Sequence, residues 1–95
     1  MTVIWAPQAA ADLERLAQRA EGFSHGAGTR LKIRILSRLS QLDQPFSGRK
    51  VPEYEAALLR ELIAAPYRII YEVFPDRVEI VTIRHSAELL ARDDD

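Results

Sequence analysis

Residues 67–85, YRIIYEVFPDRVEIVTIRH, decide the fold of this chain. Both halves of the stretch alternate in character with the two-residue period of a strand. In the first half Tyr67, Ile69, Tyr71 and Val73 share one face, and Arg68, Ile70, Glu72 and Phe74 share the other. In the second, Val78, Ile80, Thr82 and Arg84 alternate with Glu79, Val81, Ile83 and His85. Pro75-Asp76 between them carries the preset φ of a turn, so the halves form an antiparallel pair. A two-residue turn sets Glu72 against Glu79, a repulsive cross-strand pair. A four-residue loop sets Glu72 against Arg77 and is the predicted register. The two registers differ by an even number of residues, so the faces are the same in both. The tyrosine face is expected to pack on the rest of the protein. The opposite face then becomes a partly covered groove carrying Arg68 and His85 together.

Upstream, Ala64-Ala65-Pro66 makes a turn into an earlier strand over 57–63. There the neighbours Arg60 and Glu61 must point to opposite faces, and Arg60 is expected on a carboxylate- or partner-binding surface. Residues 51–56 read as extended or irregular, and Gln44-Pro45-Phe46-Ser47-Gly48-Arg49 as a loop.

At the N-terminus, Thr2–Trp5 is a short β-branched and aromatic run that ends at Ala6-Pro7. Proline suits the first turn of a helix, where its missing N–H has no partner to lose. Ala10, Leu13, Leu16, Ala17 and Ala20 recur at helical spacing to about Glu21, with acids early and arginines later, as the helix dipole favours. Phe23–Gly28 breaks that helix. A second helix runs from 27 to 42 on the stripe Leu31, Ile35, Leu39 and Leu42. Arg30, Arg34 and Arg38 line up beside the stripe at i, i+4 spacing, as a solvated face or a ridge for a partner. The predicted fold is α+β in one domain, residues 1–95. An N-terminal strand and a two-helix antiparallel hairpin pack on a mainly antiparallel sheet in the order β-α-α-β-β-β, with a short C-terminal tail.

Composition narrows the function classes. At 47% hydrophobic and 28% charged the chain has ordinary globular proportions, and it has no cysteine for a disulfide or a thiolate zinc site. No apolar run approaches the roughly 20 residues that span a bilayer. The opening MTVIWAPQ lacks the basic and apolar regions of a signal peptide, which makes cytoplasm the expected compartment. Net charge is −1. Residues 1–52 carry eight Lys/Arg and four acids, whereas residues 53–95 carry five Arg and ten acids. The isoelectric point of about 6.1 argues against a protein that coats nucleic acid nonspecifically.

The element order and several short motifs resemble the RelE/ParE superfamily of bacterial toxins. The motifs are Trp5-Ala6-Pro7-Gln8-Ala9-Ala10-Ala11-Asp12-Leu13, Gly48-Arg49 with Val51-Pro52-Glu53, Arg60-Glu61-Leu62, Tyr67–Val73 and Ile83-Arg84-His85. The resemblance covers nearly the whole chain. It implies a toxin neutralised by a cognate antitoxin, with no cofactor and no metal.

Two activities follow from the resemblance. RelE-like members cleave mRNA on the ribosome with the RNA 2′-OH as nucleophile, and ParE-like members inhibit DNA gyrase by binding it. The cleavage alternative implies Arg68, Arg84 and His85 as catalytic residues, with His85 protonating the leaving oxygen. The bland readings stand beside these: an ion pair of Arg68 with Glu53 or Glu61, and a strand-end histidine bonded to backbone. Ser86–Asp95 lacks the further aromatic usual in the ribonucleases, and the chain lacks their large positive charge. Both departures favour gyrase inhibition. A degenerate module that only binds antitoxin and represses its operon is a third expectation. The partner-binding candidates are Arg30, Arg34, Arg38, Arg49 and Arg60, facing an acidic amphipathic antitoxin segment.

Overall fold

The computed structural model describes residues 2–42, 49–50 and 59–86. The expectations for 44–48, for 51–56 and for the tail from 87 lie outside these residues, as does Glu53. The described elements are β1 (Thr2–Trp5), α1 (Pro7–Phe23), α2 (Ala27–Ser40), β2 (Arg49–Lys50), β3 (Leu59–Ala64), β4 (Tyr67–Val73) and β5 (Arg77–His85). The α+β class and the order of strand, helical hairpin and three strands are as predicted. The short strand β2 is an addition, because Arg49 falls in a sequence that reads as loop. Its two residues pair antiparallel with Glu61 and Arg60 along the outer side of β3.

The sheet runs β1-β5-β4-β3-β2, with β1 parallel to β5 and the other pairs antiparallel. β1 lies beside the last strand although they are farthest apart in the chain, and α1 leaves it to cross over the sheet. Ala6 donates its N–H to the Ile80 carbonyl at 2.9 Å, and Pro7 then starts the helix. Ala9, Leu16 and Ala17 of α1 and Leu31, Ile35 and Leu39 of α2 close over Leu62, Ile69, Tyr71, Ile80 and Ile83. Burying a side chain of the Leu or Ile kind contributes about 1.5–3 kcal/mol, so this layer supplies most of the stabilisation. Tyr67 and Tyr71 lie on the helix side as expected, Tyr71 fully buried and Tyr67 partly.

The hairpin between the helices turns at Gly26, whose φ of 83° is left-handed and suits a residue with no Cβ. Glu21, near the end of α1, accepts N–H bonds from Gly26 at 2.8 Å and Gly28 at 3.0 Å, which caps the start of α2. Those two bonds hold the Glu21 carboxyl below its ordinary value. Lys32 and Glu14 bridge the helices farther along at 2.6 Å. His25 stays exposed in the turn, as its glycine-flanked position implies, with Nδ1 3.3 Å from Glu21.

The register of β4 with β5 departs from expectation twice. Val73 pairs with Val78 and Glu72 with Glu79, so the turn at Pro75-Asp76 is the two-residue kind and Phe74 donates its N–H to the Arg77 carbonyl at 2.9 Å. The like-charge pair is tolerated because Arg77 neutralises it. The Arg77 Nε donates to Glu79 at 2.9 Å, and the guanidinium lies 4.1 Å from the Phe74 ring centroid. The second departure is a β-bulge: Tyr71 pairs with Ile80 but Ile70 pairs with Thr82, leaving Val81 as an extra residue. A one-residue shift exchanges the faces of everything beyond it.

Candidate functional site

The bulge decides which candidate residues meet. Beyond it Ile83 pairs with Ile69 and joins the helix-side core, so Arg84 pairs with Arg68 and His85 with Tyr67. Arg68 and Arg84 therefore share the face away from the helices. His85 does not join them. It lies on the tyrosine side, exposed, with its ring edge-on to Tyr67 at 5.9 Å between centroids. The expectation that Arg68 and His85 share that face is corrected: the register sets Arg84, not His85, beside Arg68 there.

Arg68 is on the predicted face but is not an open cation. Its side chain is 7% exposed, and its Nε donates to Glu61 Oε2 at 2.8 Å, with that carboxylate 1% exposed. Glu61 reaches Arg68 because β3 and β4 put Glu61 beside Ile70 and Ile63 beside Arg68, all on one face. Glu61 is one of the two acids named as ion-pair partners from sequence; the other, Glu53, lies outside the described residues. Two charges this buried are held by each other, since either alone bears a desolvation penalty of several kcal/mol.

The partner-binding candidates divide. On α2, Arg34 donates to the Ala65 carbonyl at 2.9 Å and Arg38 to the Ile63 carbonyl at 3.2 Å. Arg38 thus reaches β3 past the end of β2 and Arg34 reaches the turn that follows β3, so part of the arginine ridge ties the helix to the sheet. Arg30, one turn earlier, is exposed and closest to the hairpin turn. Arg60 stands on the helix side opposite Tyr71, half-buried, with Nη1 3.1 Å from the Leu59 carbonyl. Arg49 is opposite Glu61 in β2.

Sequence reasoning missed Asp12. It reads there as an early helix acid, yet it is 2% exposed and faces the sheet. Its Oδ2 accepts the Thr82 hydroxyl and, at 3.3 Å, the Ile83 N–H, while Oδ1 accepts Gln8 at 2.8 Å and lies 3.7 Å from Arg15. Ile83 lies beyond the stretch of β5 that β1 covers, so Asp12 closes that edge. The available signal was position: Asp12 falls between Ala9 and Leu16 on the buried side of α1.

Among the described residues no three His, Cys, Asp or Glu side chains gather as metal ligands, and no helix is long and apolar enough to cross a membrane. A strand, a helical hairpin and an antiparallel three-strand unit that folds back beside the first strand define the RelE/ParE type of toxin domain. Residues 3–90 match the family model described as the ParE toxin of type II toxin–antitoxin systems, parDE. Toxin RelE2 of Caulobacter vibrioides is 37% identical over 89 residues, covering 92% of this chain and 97% of that protein. A solved chain of the chromosomal ParDE system from P. aeruginosa superposes with a TM-score of 0.69 at 23% identity, covering 90% of this chain and 95% of that one. That last likeness concerns the fold. The chain belongs to the ParE toxin family, and as the toxin of a type II pair it has a cognate antitoxin.

Proposed function

We propose that this toxin acts by binding and inhibiting DNA gyrase, and that it does not cut RNA. The observation that carries the reading is the division of the candidate catalytic set across the sheet. Metal-free cleavage of a phosphodiester needs its acid and its phosphate-binding cations within hydrogen-bond reach of one scissile phosphate. Here His85 lies on the opposite face from Arg68 and Arg84, and Arg68 is held in a buried pair with Glu61. The match to the ParE family model supports the same branch.

The purified toxin is expected to inhibit supercoiling of relaxed plasmid by gyrase. Its expression is expected to induce the DNA-damage response with bulk mRNA intact. A second reading, ribosome-dependent mRNA cleavage, draws on Arg84 standing beside Arg68 and on the RelE name of the Caulobacter relative. Codon-dependent cuts in translated mRNA, with supercoiling unaffected, would transfer the assignment to that reading. Normal growth on expression without antitoxin would leave only antitoxin binding and operon control.

A further inference from the structure

Helix α2 carries a second row of residues that the fold does not use. Gly28, Leu31, Ile35 and Leu39 form its buried side. Thr29, Ile33, Leu36 and Ser40 follow one another at steps of four, three and four on a different side, and all are exposed. That alternation of steps is the a and d spacing along which two helices pack, with β-branched Ile33 in one position and Leu36 in the other. The two apolar side chains sit at the middle of the row, 59% and 51% exposed. The small hydroxyl residues at its ends let another helix approach closely.

Charge selects the occupant. The row itself is uncharged, and each cation of α2 already has a place within the chain. Lys32 bridges to Glu14 at 2.6 Å, Arg34 and Arg38 donate to the Ala65 and Ile63 carbonyls, and Arg30 attracts the Glu21 carboxylate. A charged partner gains little along such a row, whereas a second α2 matches it. A two-fold axis brings the same patch of both copies together, so that residue i meets j and j meets i. With the helices antiparallel, Ile33 meets Leu36 of the second copy and Thr29 meets its Ser40. Arg30 then faces the uncharged end of the other helix, Leu39–Gln41. A parallel pair sets the two Arg30 side chains against each other, which is repulsive. Helix α2 has 14 residues, a length of about 21 Å. One crossing of that length covers less than the roughly 1,200 Å² of a stable interface, so the pair is weak and reversible.

We propose that the free toxin forms a reversible two-fold dimer, in which α2 packs antiparallel on α2 of a second copy with Ile33 against Leu36 at the centre. The inference makes no use of the gyrase reading, so a failed supercoiling assay leaves it standing.

Sedimentation equilibrium of the purified toxin tests this over about a hundredfold range of concentration. The average mass is expected to rise with concentration from 10.8 kDa towards twice that. A toxin that stays monomeric throughout would overturn the proposal, and if Leu36→Glu then weakened antitoxin binding, the row would belong to the antitoxin instead. Ile33→Lys and Leu36→Glu each place a charge in the seam. Both residues are exposed in the monomer, so each variant is expected to keep its helical circular dichroism and to remain monomeric. Mixing the two variants is expected to restore the dimer, because the antiparallel pairing sets the new lysine of one copy against the new glutamate of the other. A dimer that persists in either variant alone would place the interface elsewhere, and folded variants that fail to associate on mixing would sink the antiparallel pairing. The concentration series on the unaltered toxin decides the matter if a variant does not fold.

Discussion

The Asp12 carboxylate in α1 accepts the Thr82 hydroxyl of β5, a bond that joins residues 70 positions apart. The same carboxylate takes the Ile83 N–H at the point where β1 no longer covers the sheet. A helix side chain thus stands in for a missing strand. Asp12→Ala leaves a buried hydroxyl and a buried amide without an acceptor, each costing about 1–3 kcal/mol. The expected loss is about 3 kcal/mol, read from the urea midpoint at constant m-value. Asp12→Asn keeps one acceptor oxygen and should lose clearly less. Equal losses in the two variants would show that the carboxylate oxygens do not hold this edge.

The Glu61–Arg68 pair makes a prediction of opposite form for single and double variants. Arg68→Met strands a buried carboxylate, and Glu61→Leu strands a buried guanidinium; each should cost about 3–5 kcal/mol. The double variant removes both charges and should be more stable than either single one. A thermodynamic cycle from denaturant melts measures this. If the two single losses simply add, Arg68 is not held by Glu61 and its guanidinium is available for phosphate.

Much of this was legible in the sequence, and the failures have one physical source. Alternation in Tyr67–Val73 correctly put Tyr71 in the core and Arg68 on the opposite face, because a strand covered by helices on one side must segregate its residues. Repulsion between Glu72 and Glu79 pointed to the wrong turn, because Arg77 relieves it from beside Glu79 on the same strand and does not have to stand opposite Glu72. The bulge at Val81 was not visible. Val78, Ile80, Val81 and Ile83 are all apolar, so that run fits an unbroken alternation as well as a shifted one. The misplacement of His85 follows from that ambiguity alone. Asp12 was hidden for a different reason: its partners Thr82 and Ile83 become neighbours only when α1 closes over the sheet.

Two glycines in the hairpin should respond oppositely to alanine. A Cβ on Gly28 falls 2.6 Å from the Ala17 carbonyl oxygen, so Gly28→Ala forces the helices apart. Overpacking of this kind costs about 1–3 kcal/mol. Gly22 lies inside α1 with nothing within 4 Å of a new Cβ, and Gly22→Ala should stabilise by about 0.5–1 kcal/mol. Thermal melts of the two variants should therefore shift in opposite directions, by several degrees for each kcal/mol in a domain of this size. A fall in melting temperature for both would mean that the helices pack differently from the arrangement described.

The same hairpin should weaken in acid through Glu21. Its carboxyl is held below the ordinary value by the Gly26 and Gly28 amides, with Arg30 adding a smaller attraction. A depressed folded value favours the charged form in the native state. The stabilisation is therefore complete above the unfolded glutamate value of roughly 4.3 and is lost as pH falls through the lower folded value. Glu21→Gln removes the titration but keeps an acceptor for one amide. In a His25→Gln background, which removes the imidazole 3.3 Å from Glu21, the melting-temperature advantage over the variant that also carries Glu21→Gln should be constant from pH 5.5 to 8, values chosen about one unit or more above that pKa. It should then shrink as the pH is lowered further. An advantage that persists undiminished in acid would mean that the charge of Glu21 plays no part in capping α2, and that the two amides need only a neutral oxygen.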